Sequence, residues 1–263
     1  MWLTLDIGNS TIKAALFHGE DLKRYFTLPT DVEASVAAYR HSFRHHLQGV
    51  APERIGVVSV VPSLTGKVAE ALQAETWIPV EHISSRLNLP FELCYASEQL
   101  GSDRLAAVAG AYYRLHATHT DQHVLVLDAG TAFTIEVLEG MQRYLGGLIA
   151  PGPQLMLQAL HRNTAQLPAI SLPDAAPLIG TTTEEAIRAG VGYGFIELAR
   201  GLLHRLQREL HPAPYTIATG GWASFLKEHL PEEVHDVAPH LVLEGVRFLM
   251  MLNTRSPVYV HPH

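Results

Sequence analysis

The stretch LTLDIGNSTIKAALFHG (Leu3–Gly19) returns in altered form as LVLDAGTAFTIEVLEG (Leu125–Gly140). With Asp6 laid on Asp128, Leu3, Leu5 and Gly8 fall on Leu125, Leu127 and Gly130, and Asn9 falls on Thr131. In both copies an apolar run ends in Asp, a short polar turn containing Gly follows, and a second alternating apolar run leads away. The pattern predicts a strand, a tight turn and a second strand. Such a turn sets a carboxylate beside free backbone N–H groups. That combination suits a metal-chelated phosphate, the carboxylate holding the cation and the N–H groups the anion. Either copy alone also matches an ordinary hairpin with an Asp-Gly-type turn. Two copies in register, one in each half of the chain, favour a duplicated phosphate-handling unit.

The rest of the composition bounds the answer. The 263 residues are 47% hydrophobic and 17% charged, enough for two domains of roughly 100–150 residues each. A net charge of −7 without any basic run argues against a nucleic-acid binder. No apolar run approaches the roughly 18–20 residues of a membrane span, so no membrane association is expected. A lone cysteine, Cys94, rules out an intrachain disulfide and fits a reducing cytoplasm. The N-terminus enters a strand directly, without the charged and apolar regions of a signal peptide. Of the 16 histidines, His41, His45 and His46 share a predicted helix face. They read as a solvated face, because no Cys or carboxylate set completes a ligand shell.

Working outward, KRYFTLP continues the first hairpin as a third strand, and Asp31–Leu47 reads as a helix capped by Asp31. RIGVVSVVPS (Arg54–Ser63) is a buried strand stopped at Pro62, followed by a helix over Leu64–Glu75. GSDR (Gly101–Arg104) precedes an Ala-rich helix, Leu105–Leu115. The second half repeats the plan: hairpin, the strand region MQRYLGGLIAPGP, a helix at Gln154–His161, then a loop over 162–180. Thr181-x-x-Glu184 and Thr182-x-x-Glu185 both satisfy a capping box for a helix running to Leu210. That helix contains GVGYG (Gly190–Gly194), where each glycine costs about 1 kcal/mol unless something packs closely or the backbone is used. Tyr215–Thr219 is a strand ending in Thr219-Gly220-Gly221, and Leu241–Met251 a last helix. The expected domains are 1–117 and 118–263, both α/β.

The ordered set DIGNSTIK, GSDR, DAGTAFTIE, GGLIAPG, TTTEEA and TGG resembles the type III pantothenate kinase family, over nearly the whole chain. That family is part of the acetate and sugar kinase, Hsp70 and actin superfamily. The resemblance implies an α/β fold of two duplicated ribonuclease-H-like (actin-like ATPase) domains with a nucleotide cleft between them. It implies ATP-dependent phosphorylation of pantothenate, the first step to coenzyme A. By the same resemblance Asp6, Ile7, Gly8, Asn9, Ser10, Thr11, Ile12 and Lys13 form the phosphate-binding segment, with Asp6 turned towards Mg2+ and Thr131 a further ATP contact. Asp128 matches a monovalent-cation position, for K+ or NH4+. Gly101, Ser102, Asp103 and Arg104 match the pantothenate pocket, with Asp103 the general base and Arg104 the partner of the substrate carboxylate. Tyr95 would close that pocket. Thr183 matches a contact supplied by the second subunit of a homodimer whose active site lies at the interface. Two other readings stand beside this one: a relative without catalysis that acts as an accessory factor for transcription, and a kinase of another small hydroxy acid. The presence of Asp6, Asp103 and Asp128 favours catalysis.

Overall fold

The strands begin where the alternation of apolar and polar residues predicts. β1 (Trp2–Ile7), β2 (Thr11–His18) and β3 (Asp21–Pro29) form an antiparallel meander. The computed structural model describes residues 1–95, 100–172 and 177–254. β4 (Arg54–Ser59) and β5 (Val80–His82) extend the sheet in parallel, giving the order β3-β2-β1-β4-β5. A two-residue strand, β6 (Glu92–Leu93), precedes the GSDR motif. Leu3, Leu5, Ile7 and Ile12 point to one face of the sheet. There they pack against Tyr39, Phe43 and Leu47 of α1 (Val36–Leu47) and Leu64, Val68 and Leu72 of α2 (Pro62–Thr76). The period of two sends Thr4 and Asp6 to the opposite face.

Two boundaries differ from expectation for local reasons. The N-cap of α1 is Ser35, whose hydroxyl accepts from the Ala38 N–H at 3.2 Å. Asp31 instead accepts from the Glu33 N–H at 3.0 Å, forming a turn just ahead of the helix. β4 stops at Ser59, and Pro62 opens α2. A proline lacks an N–H and has φ fixed near the helical value, so it suits the first turn of a helix.

The second half repeats the topology. β7 (Val124–Ala129), β8 (Ala132–Glu139) and β9 (Arg143–Pro151) form a meander. β10 (Tyr215–Thr219) and β11 (Asp236–Val237) follow in parallel, in the order β11-β10-β7-β8-β9. Its core joins Leu125, Leu127, Phe133 and Ile135 to Phe195, Ala199 and Leu203 of α5 (Thr183–Glu209). Leu226 of α6 (Ala223–His229) joins the same cluster. α4 (Pro153–Arg162) packs against α5 through Leu157, Ile187 and Val191.

Chain order makes α3 (Ser102–Leu115) and α7 (Leu241–Leu252) equivalent, each following its own sheet. Packing separates them differently. The compact units are Met1–Leu115 with the stretch from His240, and His116–Pro239. This differs from the sequence expectation of 118–263 for the second domain. The reason lies in three glycines. A Cβ on Gly110 would run into the Leu241 carbonyl oxygen, and one on Gly245 into that of Ala106. The backbones of α3 and α7 therefore touch, which only glycine permits. Gly56 on β4 likewise leaves room for the Met250 side chain. α7 thus lies on α3 and on the first sheet, on the face carrying Asp6.

Gly245→Ala is expected to destabilise the protein by about 1–3 kcal/mol through overpacking, read as a lowered denaturant midpoint. Gly66→Ala in α2 serves as control: a Cβ there meets nothing within 4 Å, so the midpoint should hold or rise.

Candidate active site

Parallel pairing of β1 with β4 sets Ile7 beside Ser59 at the C-terminal ends of both strands. This is the edge at which parallel α/β sheets bind ligands. The Ser102 hydroxyl clasps the Ser59 backbone there, accepting from its N–H at 3.0 Å and donating to its carbonyl at 3.3 Å. That clasp fixes the first turn of α3 over the end of the strand pair, and so brings Asp103 into the electrostatic neighbourhood of Asp6. Asp103 Oδ1 accepts from the Arg104 N–H at 2.8 Å, and a Cβ at Gly101 would lie only 2.6 Å from it. A side chain at Gly101 would therefore push the carboxylate out of this position.

Asp6 is 6% exposed. Its cross-strand partner is Lys13, whose Nζ lies 3.5 Å from Oδ2. Burial raises the Asp6 carboxyl above its ordinary value; Lys13 pulls it down, and Asp103 pushes it up again. Beyond Asp6 the chain turns through Gly8, whose N–H donates to the Thr11 carbonyl at 3.2 Å. The end of β3 holds this turn, with the Thr30 hydroxyl donating to the Gly8 carbonyl at 2.6 Å. Asn9 and Ser10 are exposed and Gly8 and Thr11 half-buried. Ile7 and Ile12 are fully buried in the α1/α2 core. Only their backbone groups could meet a phosphate.

The second turn is built alike, with one residue fewer. Four residues separate the paired Ile7 and Ile12, and three separate Ala129 and Phe133. The residue opposite Asp128 is consequently Thr134, a neutral side chain where the first copy has Lys13. Two glycines bracket this turn. A Cβ on Gly220, at φ +90, would lie 2.5 Å from Asp128 Oδ1, and one on Gly152 would run into the Gly130 carbonyl oxygen. The Gly152 N–H also donates to the Thr131 carbonyl at 3.0 Å. Thr131 is exposed. A Cβ on Gly221 meets nothing within 4 Å. Of the TGG motif, then, Gly220 supports the turn and Gly221 leaves open space.

The structure joins Tyr95 to the GSDR motif: the Arg104 guanidinium lies 5.4 Å over its ring. Arg104 is 9% exposed. Thr183 is exposed at the first turn of α5, and the capping box belongs to Thr182 and Glu185. Thr181 joins it, donating from both N–H and hydroxyl to Glu185 Oε2 at 2.8 Å. Thr183 is thus free of the capping role and lines a groove between α4 and α5 with Leu155, Ile187 and Val191. Sequence reasoning missed Ser59, Thr30, Thr134 and Gly152. Only Gly152 carried a signal, within the GGLIAPG motif.

A family model described as type III pantothenate kinase matches residues 2–205. The chain belongs to the type III pantothenate kinase family. A type III pantothenate kinase of Chlorobaculum tepidum is 32% identical over 262 residues, covering 95% of this chain and 94% of its own. Membership places the chain among transferases. Solved structures agree on the fold. A Campylobacter jejuni protein described as of the Baf transcriptional-activator family is similar at TM-score 0.58 and 23% identity, over 95% of this chain and 98% of its own. A ROK family glucokinase from Streptomyces griseus, in complex with glucose and AMPPNP, is similar at TM-score 0.51 and 15% identity, over 93% and 97%. The type III pantothenate kinase family therefore shares its two-domain ribonuclease-H-like fold with sugar kinases.

The raised Asp6 carboxyl has a thermodynamic consequence. Between the ordinary carboxylate value and the raised folded value, the folded state holds more proton than the unfolded state, so stability falls as pH rises through that window. Asp6→Asn should remove this contribution: stability scanned from acid to neutral pH should rise more steeply in the variant, with the folded state retained.

Proposed function

We propose that this chain transfers the γ-phosphoryl group of ATP to the hydroxyl of pantothenate, giving 4′-phosphopantothenate in the first step of coenzyme A biosynthesis. The observation that carries this is the Ser102–Ser59 clasp, which holds the first turn of α3 at the end of the β1–β4 pair and keeps Asp103 within electrostatic reach of Asp6. One carboxylate serves the phosphate side and the other the acceptor. Family membership supplies the substrate class.

Asp6 fits a Mg2+ that accompanies ATP: a buried carboxylate driven towards its proton by burial and by Asp103 gains from a cation at that point. Mg2+ there would offset charge on the phosphate oxygens. The exposed Asn9–Ser10 backbone of the turn and the hydroxyls of Ser10 and Thr11 hold phosphate oxygens, and Lys13 adds a point charge. Asp103 accepts the proton of the pantothenate hydroxyl as the oxygen bonds phosphorus. Arg104 forks onto the substrate carboxylate, and Tyr95, already stacked on it, walls the pocket. Asp128, facing neutral Thr134 in a turn bracketed by glycines, suits K+ or NH4+, with Thr131 contacting ATP.

The working form is a homodimer in the cytoplasm, with Thr183 reaching the partner's substrate. Support comes from α5: a Cβ on Gly190, Gly192, Gly194 or Gly201 meets nothing within 4 Å, so the cost of these glycines finds no return among the described residues. A second copy of the helix would supply it.

The direct test is pantothenate-dependent ATP consumption by the purified protein, assayed with K+ or with Na+ alone and accompanied by sedimentation. An accessory factor would show no pantothenate dependence, and a kinase of another hydroxy acid would prefer that acid. Full activity in Na+ would remove the K+ assignment, and a fully active monomer the dimer. Asp103→Asn should lower kcat by about 100- to 10,000-fold with the fold intact, since Asn can keep the 2.8 Å bond from the Arg104 N–H. Arg104→Ala should chiefly raise KM for pantothenate.

A further inference from the structure

The apolar helix α7 carries one arginine, Arg247, and the site described above does not use it. It is 4% exposed. Its guanidinium lies 4.8 Å from the Tyr113 ring and 5.7 Å from the Phe17 ring. Nη1 donates to the Gly19 carbonyl at 3.2 Å, and the Tyr113 hydroxyl oxygen accepts a further hydrogen bond from the group. Nε has no acceptor. Among the described residues no carboxylate pairs with it. Glu20 accepts from the Tyr113 hydroxyl, and Glu53 from the N-terminal amine. A buried cation without a counter-charge is destabilising, and two neutral acceptors with two ring faces offset only part of that. Arg247 also lines a cavity of about 360 Å³, with Trp2, His18, Gly19, Glu53 and Met251. The walls are an indole and methionine, apolar and adaptable surfaces, and the charge sits at one end.

We propose that this cavity binds a small organic carboxylate, its apolar body against Trp2 and Met251 and its carboxylate towards Arg247. The bound anion supplies the counter-charge that the chain itself does not. An apolar body is needed because the lining offers Arg247 as its one buried charge, Glu53 being already paired with the Met1 ammonium of the same lining at 2.6 Å, and one charge does not replace the water shell of a polyvalent ion. Inorganic phosphate is therefore the poorer ligand. The site is separate in residues from the GSDR pocket.

Calorimetric titration of the intact protein with benzoate tests this, run in saturating pantothenate so that the proposed substrate pocket is filled. Saturable binding with a dissociation constant on the order of 1 mM is expected for so small a ligand. Benzamide, the neutral isostere, and inorganic phosphate should each bind at least about tenfold more weakly. Arg247→Met should lose benzoate binding by a similar factor, keeping turnover and thermal stability. Met251→Glu, at a residue 43% exposed and so tolerant of charge, should repel benzoate equally and covers the case in which Arg247→Met does not fold. No saturable binding below about 20 mM would overturn the proposal. So would binding undiminished in the folded variants, or phosphate or benzamide binding as tightly as benzoate. None of these outcomes depends on whether pantothenate is phosphorylated.

Discussion

A carboxylate 6% exposed at the end of a strand sets the terms for the first half of this chain. Asp6 faces away from the α1/α2 core because Leu3, Leu5 and Ile7 face it, and the pleat leaves no other choice. The opposite face must therefore be covered by elements that tolerate a charge. α7 covers it through glycine contacts, α3 brings its N-terminal turn, and Lys13 answers from the neighbouring strand. The proximity of Asp103 is unfavourable for Asp6 in isolation. An acidic neighbour adds to the cost of ionising a carboxylate that is already buried.

The two copies of the hairpin have diverged through a single residue of turn length. In the first, the register sets Lys13 opposite Asp6; in the second, the shorter turn sets Thr134 opposite Asp128. One turn thus carries its own cation, and the other presents a carboxylate to a neutral partner between two glycines. The same strand-turn-strand unit thus presents two different electrostatic surroundings to its carboxylate without any change of fold.

Much of this was legible in the sequence, and the reasons are local. Period-two alternation over Leu3–Ile7 and Leu125–Ala129 marks the strands, and Asp-x-Gly marks the turns. Thr182 and Glu185 announce α5 by chemistry confined to four residues. Non-local choices were not legible. The sequence shows Ser102 inside the GSDR motif, but not that its hydroxyl would seek the backbone of Ser59, 43 residues earlier. The offset that aligns Asp6 with Asp128 hides the slip that follows at Lys13 and Thr134. The duplication assigns α7 to the second half, whereas the meeting of Gly110 and Gly245 assigns it to the first. A glycine in a helix signals close approach without naming the partner.

The account turns on the coupling between Asp6 and Asp103. It is measured most directly by carboxyl-carbon NMR, titrating Asp6 in the unliganded protein and in Asp103→Asn. The expected result is that the Asp6 pKa falls when the Asp103 charge is removed, because Asp103 is one of the two causes that raise it. An Asp6 titration unchanged by the substitution would contradict it, since the two carboxylates would then not share a site.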